Sequence, residues 1–263
     1  MPPVYPPFAA QIKANGRRVV ENPLIPEKGY YRIDYDDLDR KLAEHGTALL
    51  QSTQPHRPRI HCGGAAQSSR PVPETRCRDS EREIHSDLIF APCRHTHIAS
   101  LCAEGQRCIT LIAPTKTFNI AGLSTSAAIT PDPAAREALR TELGRYHVDQ
   151  GNIFGTAALI AAYNEGEEWL GQMLDYVHGN MEFTVRFLAE HLPEIRTAIP
   201  EGTYLMWLDL RGLGLGHEEL LRFMAREAGV GLNDGAAFGV QGRGFMRMNM
   251  ATSRTLSKRH SSR

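Results

Sequence analysis

Cys108-Ile109-Thr110-Leu111-Ile112-Ala113-Pro114-Thr115-Lys116-Thr117-Phe118-Asn119-Ile120-Ala121-Gly122-Leu123 is the stretch on which the fold turns. Cys108 to Ile112 is an apolar run of the length of a short buried strand. Lys116 therefore stands at the end of a core strand, with a hydroxyl on either side and small residues beyond. A lysine desolvated at such a strand end has a lowered pKa and becomes a competent Schiff-base amine. Spacing alone fits a solvated lysine in a strand-to-loop turn better, since the catalytic reading rests on one residue.

The wording of the stretch adds what spacing lacks. Lys116-Thr117-Phe118-Asn119-Ile120-Ala121-Gly122-Leu123 resembles the cofactor-lysine segment of fold type I pyridoxal-phosphate (PLP) enzymes. The match is to the MalY/PatB branch, the cystathionine β-lyase and C–S lyase relatives of class I/II aminotransferases. The resemblance implies that Lys116 holds PLP and moves the substrate α-proton.

Composition sets the outer bounds. The chain has 263 residues, and Lys+Arg and Asp+Glu are both 30. A zero net charge gives no basic surplus for nucleic acid or acidic lipid. No apolar run approaches the ~20 residues of a membrane span. The opening Met1-Pro2-Pro3-Val4-Tyr5-Pro6-Pro7-Phe8 has neither a basic nor an apolar region of a signal peptide. The five cysteines lack paired spacing and read as reduced thiols. These features lead us to expect a cytoplasmic protein.

Pro3-Val4-Tyr5-Pro6-Pro7-Phe8 reads as a rigid aromatic turn placed before any element able to anchor it. It resembles the family's Pro-x-Tyr-x-x-Phe segment, which implies that Tyr5 stacks on the PLP ring. By the same resemblance the chain starts inside the family pattern, without the glycine-rich phosphate-binding turn. Arg17 to Leu24 reads as a strand. Asp34 is placed to cap a helix with Leu38, Leu42 and Ala43 on one face. Thr47-Ala48-Leu49-Leu50 begins the next strand.

From Gln51 to Arg82 the periodicity vanishes, and only Ile60 and Val72 are branched aliphatics. This is the composition of a disordered linker. Read one nucleotide later, suitable codons for Thr53-Gln54-Pro55-His56-Arg57 spell Pro-Asn-Pro-Thr-Gly, which fits the family's Asn-Pro-x-Gly turn. Glu83-Ile84-His85-Ser86-Asp87-Leu88 then resembles the family's Asp-Glu-Ile-His-x-Asp-Leu segment. There the first aspartate pairs with the pyridine nitrogen, and this chain has Arg82 in its place. An arginine has no acceptor for that proton. His85 matches the histidine near the PLP phenolic oxygen. Cys93, His95 and His97 have possible metal-ligand spacing, but no second cluster accompanies them and no metal is assigned.

Pro131 to Tyr146 reads as a helix with Leu139 and Leu143 as its apolar face. Gly151 to Gly155 reads as a turn, and Ala157 to Tyr163 as a small buried helix. From Glu167, apolar residues Leu170, Met173, Leu174, Val177, Met181, Val185 and Leu188 recur at helical steps, and Pro193 ends the run. Thr203-Tyr204-Leu205-Met206-Trp207-Leu208-Asp209 resembles the family's Thr-Tyr-Leu-x-Trp-Leu-Asp strand. Gly212, Gly214 and Gly216 lack dinucleotide-turn spacing and read as a loop before a helix from His217 to Ala228. Arg247-Met248-Asn249-Met250-Ala251 resembles the superfamily's Arg-x-Asn-x-Ala strand. That implies that Arg247 grips the substrate α-carboxylate, a task suited to its forked donors. Ser257 to Ser261, read one nucleotide earlier, can spell Leu-Glu-Glu-Ala-Leu, the opening of a helix.

The expected fold is α/β: an incomplete large PLP-binding domain with a mainly parallel sheet over 1–170, with 51–82 anomalous, then a small α/β domain over 171–263. The implied activity is a C–S β-lyase acting on a small amino-acid substrate, releasing a thiol, pyruvate and ammonia. An aminotransferase and an inactive fragment or dimerisation partner are the alternatives, and the resemblance implies a homodimer. Sequencing the gene tests the frame reading: codons 53–57, read one base later, should spell Pro-Asn-Pro-Thr-Gly, and any other sequence there refutes it.

Overall fold

A computed structural model of the chain describes residues 1–27, 30–45, 47–50, 78–97, 100 and 108–255. They fall into two compact units. One joins Met1–Asp34 to the chain from Asp175 onward, and the other holds the described residues from Tyr35 to Leu174. The expected division ran 1–170 and 171–263, whereas the first 34 residues group with the later part of the chain.

The second unit is built on a sheet of β3 (Thr47–Leu50), β4 (Arg78–Arg82), β5 (Cys108–Ile112) and β6 (Ala127–Ile129), in that order. β3, β4 and β5 run parallel, and β6 is antiparallel to β5. This is the mainly parallel sheet that the family resemblance implied. β4 corrects the reading of 51–82 as structureless throughout. Arg78-Asp79-Ser80-Glu81-Arg82 has poor strand propensity, but backbone pairing on both sides, to β3 and β5, overrides it. Residues 51–77 and 256–263 lie outside the described residues, and with them the two shifted-frame segments.

Helix α2 (Tyr35–His45) starts directly after Asp34 and buries Leu38, as expected. The short α3 (Pro114–Thr117) carries the lysine. α4 (Pro133–Arg145) is capped by Asp132, whose carboxylate accepts from Ala134 N at 2.9 Å. α5 (Ile153–Glu165) departs from expectation twice. It begins where a turn was read, because Asn152 accepts from the backbone N–H groups of Phe154 and Gly155. It is also not buried: Ile153 is 85% exposed and Phe154 77%.

The first unit opens with α1 (Pro7–Ala14), where only a rigid turn was expected. Proline at the first helical position suits a helix start, since its missing N–H would be unpaired there. Residues 17–24 are irregular rather than a strand, and the strand pair β1 (Ile25–Glu27) and β2 (Tyr30–Arg32) follows. Pro23 lacks an N–H for a ladder. The buried Asn22 side chain instead donates to Asp34 O at 3.0 Å. The remaining sheet is antiparallel, in the order β7 (Leu205–Asp209), β9 (Phe245–Asn249), β8 (Asn233–Asp234), and α7 (His217–Arg226) belongs to the same unit. Of the glycine cluster before α7, Gly212 lies in a 3-10 turn (Arg211–Leu213), and Gly214 and Gly216 lie in the loop that was read there.

α6 (Glu167–His191) is the long helix anticipated from periodicity. Its buried positions include Val177, Met181 and Leu188, but two polar residues share the stripe. Asn180 is fully buried and donates to Met250 O at 3.3 Å and Thr252 O at 2.9 Å. Its Oδ1 accepts from Arg254 Nε at 3.1 Å. One amide thus satisfies the backbone where the chain leaves β9. Asn180→Leu should lower unfolding stability by about 1–3 kcal/mol, because a buried and a part-buried carbonyl lose their donor. Urea unfolding checks it, and an unchanged midpoint contradicts it.

Candidate active site

Ala113, with extended backbone, links β5 to α3, so Lys116 sits one helical turn beyond the carboxyl end of a core strand. Ligands of open α/β sheets gather at that edge. Asn119 adopts left-handed backbone (φ 55°) and turns the chain out of α3. Lys116 is half-buried and makes no ion pair among the described residues.

Its two neighbours are tightly held. Thr117 is fully buried and donates its hydroxyl to Asp87 Oδ2 at 2.9 Å. Tyr163 of α5 donates to the same oxygen at 3.3 Å. Phe118 packs edge-on against Tyr163, with ring centres 5.6 Å apart, and lies 6.1 Å from Trp169. A Cβ on Gly166 would strike both the Phe118 ring and Ala162 O, so glycine lets the start of α6 close on that ring. Burial, then the charge and hydrogen bond of Asp87, push the Tyr163 phenol up to about 12. Asp87, Thr117 and Tyr163 were not singled out from the sequence. The acceptor lies 30 residues from one donor and 76 from the other.

His85 lies in the same unit, buried in the turn that follows β4, where Ser86 N donates to Glu83 O and Leu88 N to His85 O. Arg82 is the last residue of β4, in register with Leu111 of β5.

Tyr5 and Arg247 belong to the other unit. The N-terminal segment has anchors that only later chain supplies: Val4 N donates to Phe238 O at 2.7 Å, and Leu24 N to Pro2 O at 2.9 Å. Tyr5 is exposed, with Phe8 edge-on at 5.7 Å. Arg247 lies mid-strand in β9, paired across the sheet with Trp207 and Asn233. Its Nε and Nη2 donate to Asn233 Oδ1 at 3.3 and 3.0 Å, and its guanidinium lies 4.7 Å from the centre of the Phe238 ring. Trp207 supports that ring edge-on at 5.6 Å. Burial lowers the Arg247 pKa, with Tyr5 and Tyr204 acting the other way. Among the described residues it has no carboxylate partner. It is a half-buried cation held by a neutral oxygen and a π face, which suits it to an anionic ligand.

Residues 83–259 match the family model described as aminotransferase class I and II. The chain belongs to that family. It is 36% identical to cystathionine β-lyase PatB of Bacillus subtilis over 96% of its own length, and 27% identical to MalY of Escherichia coli. It spans about two thirds of these relatives, 66% and 65% respectively. Its fold superposes on cystalysin of Treponema denticola, a crystal structure containing PLP, with a TM-score of 0.93 at 31% identity, covering 99% of this chain and 67% of that one. A PLP-bound C–S lyase of Staphylococcus hominis gives 0.85 at 29% identity, covering 99% and 69%.

PLP is the cofactor of this family, and the residues present fit it unevenly. A half-buried lysine without an ion-pair partner suits the aldehyde end. The family resemblance puts Arg82 where the family has the aspartate that pairs with the pyridine nitrogen, and an arginine has no acceptor for that proton.

The Asp87 hydrogen bond predicts alkaline behaviour. The folded pKa of Tyr163 lies above its unfolded value of 10.0, so its contribution is intact below pH 10 and is lost as pH rises toward about 12. Tyr163→Phe should remove one late-ionising phenol from the tyrosinate absorbance titration. An unchanged high-pH limb would mean the bond to Asp87 does not form.

Proposed function

We propose that the chain is a PLP-dependent C–S β-lyase for cystathionine or a related cysteine S-conjugate. The observation that carries this reading is Arg247, a desolvated guanidinium whose nearest partners, Asn233 and Phe238, are both uncharged. Its fork binds the substrate α-carboxylate through two parallel N–H donors. Bound PLP would supply an aldehyde for the amino group and an electron sink for the α-carbon. Lys116 Nζ takes the α-proton, held in place by the buried Thr117 and the packed Phe118. The Cβ–S bond breaks, the thiolate leaves and takes a proton, and the released 2-aminoacrylate adds one water to end as pyruvate and ammonia. By the family resemblance, His85 would hold the phenolic oxygen of the cofactor and Tyr5 would stack on its ring. Transamination shares the proton removal, and the likeness to PatB and the C–S lyases favours elimination over it.

A second reading has one observation of its own. Arg82 replaces the anion that keeps the ring nitrogen protonated, which favours a chain without lyase activity, acting as a dimerisation partner. A homodimer belongs to both readings. The exposed Ile153 and Phe154 of α5 are the kind of apolar surface that a second copy covers, and sedimentation equilibrium tests it. A cytoplasmic setting accords with Cys93 and Cys108, both free thiols. No helix among the described residues is long and apolar enough to cross a membrane.

Borohydride reduction of the full chain with PLP, followed by peptide mass spectrometry, should place a pyridoxyl group on Lys116. Arg82→Asp should raise pyruvate release about tenfold or more, the scale of a one-unit shift in the ring-nitrogen pKa. Labelling scattered over surface lysines would overturn the lyase reading. Specific labelling of Lys116 without pyruvate from either form would leave the non-catalytic one.

A further inference from the structure

Glu83, the first residue after β4, is 1% exposed. His95 and His97 reach it from an irregular segment of the same unit. One ligand atom from each of the three lies within 4.8 Å of the others. Both imidazoles aim at the same carboxylate oxygen: His97 Nδ1 contacts Glu83 Oε2, and His95 Nε2 lies 3.5 Å from it. The two rings stand nearly perpendicular, at 84°, with centres 4.7 Å apart. The His95 side chain is 9% exposed, and its Nε2 is buried with no hydrogen-bond partner among the described residues.

A proton shared between the buried Glu83 carboxylate and His97 leaves His95 Nε2 buried without a hydrogen-bond partner among the described residues. A divalent cation engages all three lone pairs at once. Two imidazole nitrogens and one carboxylate oxygen are a donor set for zinc, with a fourth position for water.

We propose that Glu83, His95 and His97 form a divalent-metal site of zinc type, tying the end of β4 to the segment at 95–97. The site is independent of the lyase reading, since none of its ligands is assigned to cofactor or substrate. In the sequence Cys93, His95 and His97 have no second cluster beside them; the third ligand here is Glu83, 14 residues from His97 and within a motif read for other chemistry.

The test uses the chelator-stripped full chain titrated with cobalt(II), then competed with zinc(II). Visible cobalt absorption should saturate at one equivalent per chain and disappear as zinc displaces it. His97→Gln changes a half-exposed side chain, so the fold should persist by circular dichroism while cobalt affinity drops at least about tenfold. The double variant His95→Gln/His97→Gln should lose the signal, and Cys93→Ser should keep it. Absence of saturable absorption, wild-type affinity in the double variant, or loss of the signal in Cys93→Ser would each overturn the proposal.

Discussion

The Asp87 carboxylate is the constraint on which the lysine turn depends. One oxygen accepts from Thr117, beside Lys116, and from Tyr163 on α5. α3 is only four residues long, too short to hold itself in water. Its position is set from outside, by the buried Thr117 hydroxyl on one side and the Phe118 ring against Tyr163 and Trp169 on the other. A lysine with four rotatable bonds gains a defined origin because the residues after it have none of that freedom.

Arg247 follows the complementary logic. A carboxylate partner would neutralise it and fill its fork. Asn233 instead gives a neutral oxygen at the facing strand position, and Phe238 a π surface. The cation stays oriented and unpaid, so an anion entering there replaces lost hydration rather than competing with a resident acid. Gly235 and Gly242 help build the neighbouring turn. A Cβ on either would collide with the backbone of the other, so only glycine permits that approach.

Much of this was legible before any coordinates. β5 and α6 show in composition and period, because each buries apolar side chains, while the lysine turn, β7 and β9 show in their resemblance to family segments. The missed features lack that signal. α5 looks like core because small and apolar residues fill it, yet the described residues leave Ile153 and Phe154 exposed. β4 has the composition of a linker and is made a strand by the two strands it pairs with. Asn180 and Thr184 occupy an apolar stripe through hydrogen bonds to partners that no helical period reveals. Asp87 and Glu83 were both within a recognised motif, but their partners come from distant or irregular chain.

The grouping of the first 34 residues with the chain beyond Asp175 has a consequence for synthesis. Val4 cannot bond Phe238 until more than two hundred further residues have left the ribosome. The unit carrying Arg247 therefore closes last, through contacts of very high sequence separation, which fold slowly. The described residues of the unit carrying Lys116 all come from between Tyr35 and Leu174, so it has no such wait. During that interval the aromatic N-terminal segment lacks its bond to Phe238, and a chaperone acting on the nascent chain would meet it there.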